Sequence, residues 1–286
     1  MKRALFLGLA TLDIQYHVDM FPQGNVKIKS SPPDFFVGGP ATNAAVAFAA
    51  LNGSANLISA VGQNSFRHFF TDDFNACRVD FVDLIGNQEA QPVLATVITA
   101  SNGDRNIFTH HPPGIASNLD VQKVLDELQP EVVMVDGFYP EVAIDLCREA
   151  RKRKIPVVFD GGSWKEHLPD LLPLVDYAVC SDDFIPPACD TPSDVFNVLH
   201  CFKIQYNVIT RGDKEILFAD QMQMSSLPVP KVKVVDTLGA GDFFHGAFCF
   251  YLLQNDNLPQ IIEQAASFAS KTCMYKGTRD WKNNLE

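Results

Sequence analysis

The sequence predicts an α/β protein built on a largely parallel central sheet with helices on both faces. Three observations lead there. Short apolar runs of strand length alternate with helix-length segments through most of the 286 residues, the pattern of repeated strand–helix–strand units. Helix-length segments lie between the strand candidates in sufficient number to cover both faces of the sheet. The departures from this rhythm are confined to residues 14–37 and 91–111.

Taken in order, the first strand is expected over about Ala4 to Leu9, and further strands over 55–60, 131–136, 155–160, 175–180 and 206–210. Helices are expected over 41–51, 119–128, 141–153, 193–202, 240–254 and 259–274. Residues 14–37 are polar and punctuated by proline, whereas QPVLATVITASNGDRNIFTHH (91–111) reads as two strands joined by an Asn-Gly turn. Neither piece carries enough apolar residues to fold alone, so the two are expected to pair over the end of the main sheet. Pattern alone leaves open whether they form a lid over a cleft or an edge extension.

Composition excludes several classes. Lys plus Arg total 23 against 34 Asp plus Glu, a formal net charge of -11, which disfavours nucleic acid and anionic lipid as partners. No apolar run reaches bilayer length. The opening MKRALFLGLATL resembles a signal peptide only until Asp13 interrupts it, and it is read as the first buried strand. Seven cysteines without the spacing of a zinc or redox pair suggest buried thiols in a reducing cytoplasm. The chain contains no GxxxxGK[ST], HExxH or GxGxxG. His110 and His111, adjacent on the expected hairpin, would point to opposite faces, which argues against joint metal binding, and His245 reads as a packed core residue.

The strongest chemical signal is Val234 to Phe250, VVDTLGAGDFFHGAFCF: a glycine-rich turn followed by an apolar helix. Gly239, Ala240 and Gly241 leave room for close approach, and the unpaired N–H groups of a helix start favour an anion. Asp242 falls beside that turn, where a carboxylate can take a proton from an attacking hydroxyl. Taken singly, each residue also has an ordinary reading, as turn glycines and a helix cap. The full string DTLGAGD resembles the second signature of the ribokinase-like, phosphofructokinase-B-type sugar kinases, and VGGPATNAAVAFAALNG (37–53) resembles their first.

That resemblance runs along nearly the whole chain and implies a doubly wound α/β core, residues 1–12, 38–90 and 112–286, with a small β-sheet lid from 13–37 and 91–111. It also implies roles. Gly38, Gly39, Asn43 and Asp13 would hold the acceptor, and Asp242 would be the catalytic base, with Gly239, Ala240 and Gly241 forming the anion hole. Arg105, placed like the lid arginine of ketohexokinase-like members, would reach the nucleotide phosphates. Gly212, in VITRGDKEILF (208–218), would contact the nucleotide. Asp236 matches a residue that in several relatives helps bind a monovalent cation, here K+, and 268–277 would line the adenine pocket. ATP and Mg2+ are the implied cofactors, with a homodimer through the lid left open.

Two departures stand against the match. Many members carry Asn-x-x-Glu after a core strand, but VDYAVCSDDF (175–184) places Ser181 and Phe184 there, leaving Asp182 or Asp183 to substitute through water. Pro40 follows the paired glycines, where it offers neither a side-chain nor an N–H hydrogen bond. The expectation is a cytoplasmic ATP-dependent sugar kinase, with a ketose such as fructose or a derivative favoured. A nucleoside kinase of the same family is the alternative within kinases, and a catalytically silent sugar sensor is the alternative from another class.

Overall fold

Residues 3–7 and 54–59 lie side by side as parallel strands, and the rest of the main sheet grows outward from them on both sides. The structure, a computed structural model, describes residues 1–102, 104–112, 117, 119–220 and 223–284. In chain order its elements are β1 (Arg3–Leu7), β2 (Thr11–Val18), β3 (Asp34–Gly38), α1 (Pro40–Ala50), β4 (Ser54–Ser59), α2 (Arg67–Cys77), β5 (Val79–Asp83), β6 (Val93–Ala100) and β7 (Arg105–His110). They continue with α3 (Val121–Leu128), β8 (Val132–Val135), α4 (Pro140–Lys152), β9 (Val157–Gly161), α5 (Leu168–Leu171), β10 (Tyr177–Ser181) and α6 (Pro192–Cys201). The last are β11 (Tyr206–Thr210), β12 (Ile216–Asp220), β13 (Gln223–Leu227), α7 (Ala240–Leu252) and α8 (Leu258–Thr272).

The main sheet has the order β13-β12-β11-β10-β9-β8-β1-β4-β5. It is parallel from β11 to β5, and β12 and β13 add an antiparallel edge. Strand order reverses between β1 and β8, and in a doubly wound sheet the crevice beyond the carboxyl ends at that point is where ligands bind. Alternate residues of β1 serve two cores: Ala4 and Phe6 pack with α1, α2, α7 and α8, and Leu5 and Leu7 pack with α3 to α6.

Local chemistry explains the helix starts. Thr191 and Asp194 form a reciprocal capping box on α6, and Asp120 and Asn257 cap α3 and α8 through their side chains. Helices α1 and α7 are apolar on nearly every side because they are buried together. Gly246 permits that contact: a Cβ there would lie 2.0 Å from the Ala44 carbonyl oxygen. Gly246→Val is expected to destabilise the fold by about 3 kcal/mol, the upper end of ordinary overpacking. Urea denaturation checks this, and an unchanged midpoint would contradict the packing described.

A second sheet, order β3-β2-β6-β7, lies apart from the first. β2 and β6 run parallel over eight paired positions, from Thr11 opposite Val93 to Val18 opposite Ala100, and β6 and β7 form the hairpin expected from the Asn-Gly turn. β7 is an edge, with Ile107 and Phe108 exposed.

The six expected strands and six long helices are all present within a few residues of their expected ends. Elements not anticipated are α2, β5, the four-residue α5 and the antiparallel pair β12 and β13. The α2 segment RHFFTDDFNAC is polar for a helix and carries no cap residue or side-chain cap bond at its start. Its three buried residues, Phe70, Phe74 and Cys77, show their spacing only once a core exists to face.

Candidate active site

The glycine-rich turn is tied down before α7 begins. Val235 N–H and Asp236 N–H both donate to the Cys273 carbonyl, while the Asp236 carboxylate accepts from Leu238 N–H at 3.0 Å and Gly277 N–H at 2.9 Å. Gly239 then takes φ 76° as the N-cap of α7, a conformation that favours glycine, and a Cβ there would lie 3.0 Å from the Phe243 ring and 3.3 Å from the Asn43 amide. Gly241 differs: apart from its chain neighbours and the adjoining helix backbone, nothing lies within 4 Å of where its Cβ would be. The turn is therefore rigid at Gly239 and open at Gly241. Ala240, Gly241 and Asp242 are the first three residues of α7. Leu238 and Ala240 N–H groups are engaged, the second by the Thr237 carbonyl, whereas first-turn N–H groups such as those of Gly241 and Asp242 have no intrahelical acceptor.

Asp242 does not cap its helix. Its Oδ2 accepts a 2.8 Å hydrogen bond from Asn43 Nδ2 across the α1–α7 contact. Burial and the nearby Asp160 charge push its carboxyl up to about 7, opposed by the Asn43 bond and by His245. The other end of the Asn43 amide is also committed: Oδ1 accepts from Arg279 Nη1 at 2.9 Å. Arg279 grips Asp73 of α2 through Nε and Nη2, and donates to the Val37 and Thr278 carbonyls. A chain of hydrogen bonds thus runs Asp73–Arg279–Asn43–Asp242, and it determines which way the Asn43 amide points.

On the other side of the crevice, Asp13 stands on β2, its Oδ1 accepting from Thr11 Oγ1 at 2.8 Å. Burial raises its carboxyl, opposed by the Thr11 hydroxyl and the Arg279 charge. Gly38 is required beside it, since a Cβ there would meet Asp13 Oδ2 at 2.5 Å. Gly39 has φ 101°, and a Cβ would lie 2.3 Å from the Leu9 carbonyl oxygen. Asp13, Gly38, Gly39, Asn43, Gly239 and Asp242 thus converge on the crevice from β2, the β3–α1 junction and the start of α7. Pro40 occupies the first turn of α1, where a missing N–H costs nothing.

Three site residues escaped the sequence. Asp136, just beyond β8, accepts from the N–H groups of Leu9, Ala41 and Phe138, which joins the ends of β1 and β8 to the start of α1. Burial, with Asp160 adding to it, pushes its carboxyl up to about 6. Asp160 lies at the end of β9, 4% exposed, with Oδ2 lacking a hydrogen-bond partner. Arg279, after the last long helix, stands between Lys276 and Lys282 in a short segment without a motif. An aspartate closing an apolar strand was the one available signal for the first two, and none existed for Arg279.

The remaining expectations fall elsewhere. Gly212, at φ 63° in the turn between β11 and β12, is exposed, with open space where a Cβ would stand. Arg105 opens β7 opposite Thr99, but its side chain lies outside the described residues. Ser181 donates to the Gly162 carbonyl, and Phe184 is buried against Phe159 and Trp164, so the Asn-x-x-Glu positions are given over to packing. Asp182 and Asp183 are exposed beside them. His111 lies past the end of β7 and stacks on Phe138, so strand alternation does not govern the His110–His111 pair. Among the described residues no group of three or more His, Cys, Asp or Glu side chains is placed to cage a metal ion, and no helix is long and apolar enough to cross a membrane.

Comparison with known proteins identifies the family and the fold. The family described as pfkB family carbohydrate kinase matches residues 1–284. Ribokinase of Lactococcus lactis subsp. lactis is 25% identical over 93% of this chain and 88% of its own. Ketohexokinase of Mus musculus is 21% identical over 96% and 97%. The structure of Arabidopsis thaliana ribokinase complexed with ribose and ATP superposes with a TM-score of 0.79 at 20% identity, covering 97% of this chain and 94% of that one.

Proposed function

Because the chain belongs to the pfkB family of carbohydrate kinases, we propose that it transfers the γ-phosphoryl group of ATP to a primary hydroxyl of a small sugar, with a ketose such as fructose or a derivative favoured. The observation that carries this reading is the Asn43–Asp242 hydrogen bond beside the open flank of Gly241. It joins a carboxylate base, a hydroxyl-reading amide and a helix N-terminus within one turn of α7.

In this reading Asp13, Gly38, Gly39 and Asn43 hold the acceptor, and the second sheet closes over it with Arg105 at the start of β7. Asp242 removes the hydroxyl proton, and the first-turn N–H groups of α7 take up charge developing on the transferring phosphoryl group. Gly212 stays assigned to the nucleotide. Magnesium would be held by substrate phosphates, waters and one or two carboxylates, as this ion commonly is. When bound, magnesium would neutralise phosphate charge. Asp236, a hard oxygen donor tied into the turn, is where we place the influence of a monovalent cation. A homodimer would form through the second sheet, whose β7 edge exposes Ile107 and Phe108.

A base must be ionised to act. With Asp242 raised to about 7 by burial and by Asp160, kcat/KM is expected to climb as pH rises through about 7 and to level off above it. A profile of kcat/KM between about pH 5 and 9 checks this. A plateau extending down to pH 5 would remove Asp242 from the base role.

The identifying experiment is ADP release from ATP and magnesium across ketoses, aldoses, sugar phosphates and nucleosides, with Asp242→Asn as control. Turnover with nucleosides alone would replace the sugar by a nucleoside acceptor. Sugar binding without turnover would favour a sensor, the reading suggested by Phe184 packing where a phosphate-handling motif stands in many relatives.

A further inference from the structure

His245 lies one turn beyond the phosphate-binding turn on α7 and is 3% exposed. Its Nδ1 is 2.7 Å from the Gly241 carbonyl oxygen, and its Nε2 is 2.9 Å from the Val179 carbonyl oxygen on β10. Asp160 Oδ1 lies 3.5 Å from the same Nε2. A carbonyl oxygen only accepts, and a neutral imidazole has one N–H and one lone pair. In either neutral tautomer a ring lone pair would face a carbonyl oxygen inside hydrogen-bond distance, at a buried position. Only the imidazolium, with a proton on each nitrogen, satisfies both contacts.

We infer that His245 is held as a buried imidazolium with Asp160 as its counter-charge, and that the pair is a positioning device for the phosphate-binding turn. The Asp160 carboxylate gives the same answer from its own side. It is buried with Oδ2 unpartnered, and while burial raises its carboxyl, His245 and Lys165 are the cations that oppose the rise. The other titratable groups around the pair are Asp242 on α7, Asp136 beyond β8, and the thiols of Cys180 on β10 and Cys249 on α7.

Two effects on the turn follow. The Nδ1–H bond fixes the Gly241 carbonyl and polarises the Gly241–Asp242 peptide, whose N–H is one of the first-turn donors, and a hydrogen bond at one end of a peptide strengthens donation at the other. The imidazolium also opposes the raising of the Asp242 carboxyl by burial and Asp160, keeping more of it ionised near neutrality. These effects on the reaction rest on the kinase reading. The charge state of His245 does not.

The test therefore reads the ring and the carboxyl directly, on the full chain without substrate. In histidine 15N NMR, with the His245 signals identified by their loss in His245→Gln, both ring nitrogens at position 245 are expected to be protonated at pH 8. A signal from an unprotonated ring nitrogen at position 245 at pH 8 would overturn the inference. In 13C NMR of the carboxyls, His245→Gln is expected to move the Asp242 titration upward by about one pH unit, and the double change His245→Gln with Asp160→Asn to bring it back. A merely structural histidine would leave that midpoint in place, and an unmoved midpoint overturns the positioning role. Absence of kinase activity would leave both readouts intact.

Discussion

Asp242→Asn is expected to lower kcat by roughly 10²–10⁴-fold, the usual worth of a positioned general base, while leaving the acceptor's binding constant within a few-fold. The substitution conserves shape, and the new amide oxygen can still accept from Asn43 Nδ2, so the α1–α7 contact survives. Stability should hold as well. Asp242 has a folded-state value raised to about 7, and a carboxyl raised on folding opposes the folded state at pH values above its unfolded value. A neutral amide removes that opposition, so at pH 8 the melting temperature should be equal to or above that of the parent. Steady-state kinetics with the acceptor found in the panel, paired with a thermal melt, checks both halves. Turnover within a few-fold of the parent would show that another group takes the proton. A large fall in melting temperature would show that the carboxylate is structural.

Arg279→Ala is expected to have the largest effect on stability. Both members of the Arg279–Asp73 pair are largely buried, with side chains 17% and 16% exposed, and the guanidinium also satisfies the Val37 carbonyl and Asn43 Oδ1. Removing one partner of such a pair strands the other charge, at a cost of about 3–5 kcal/mol or a melting-temperature loss on the order of 10 °C. Activity should fall too, because the Asn43 amide loses the bond that sets its orientation. Arg279→Lys should recover only part of either, since an ammonium cannot reproduce the two-nitrogen grip on Asp73. Thermal and urea melts of the three proteins decide it. If the alanine variant melts within a degree or two of the parent, the hydrogen-bond chain from Asp73 to Asp242 is not structural. The two substitutions separate cleanly: one removes chemistry and keeps the fold, and the other weakens both.

Much of the architecture was legible in the chain because its cause is local. β8, four residues that are all buried, is a continuous apolar run, and α6 begins at a capping box written in four consecutive residues. The GAG turn was legible for a related reason: a positive φ at Gly239 and an open flank at Gly241 are demands the backbone makes on those residue types in place. The second sheet was legible as two pieces, 14–37 and 91–111, from the failure of the α/β rhythm and from one Asn-Gly turn. Its parallel β2–β6 pairing was not, since nothing local in either strand names its partner. The helix α2 was illegible because its burial pattern depends on the sheet it covers.

By itself, then, the sequence determined the fold class and the glycine-rich turn with Asp242 beside it, because periodicity, turn geometry and helix starts are properties of contiguous residues, whereas Asp13 and Asn43 became candidates through the family resemblance of the segments that hold them. Tertiary structure decided what those residues are connected to. Asn43 meets Asp242 across 199 positions and Arg279 across 236; Asp136 reaches the start of α1 across 95; the two ring nitrogens of His245 find one carbonyl on their own helix and another 66 positions away. These contacts arise where parallel strands end together after long crossovers. The raised Asp242 carboxyl follows from them, since its burial and the neighbouring Asp160 charge exist only once the sheet has brought β9 and α7 to the same crevice.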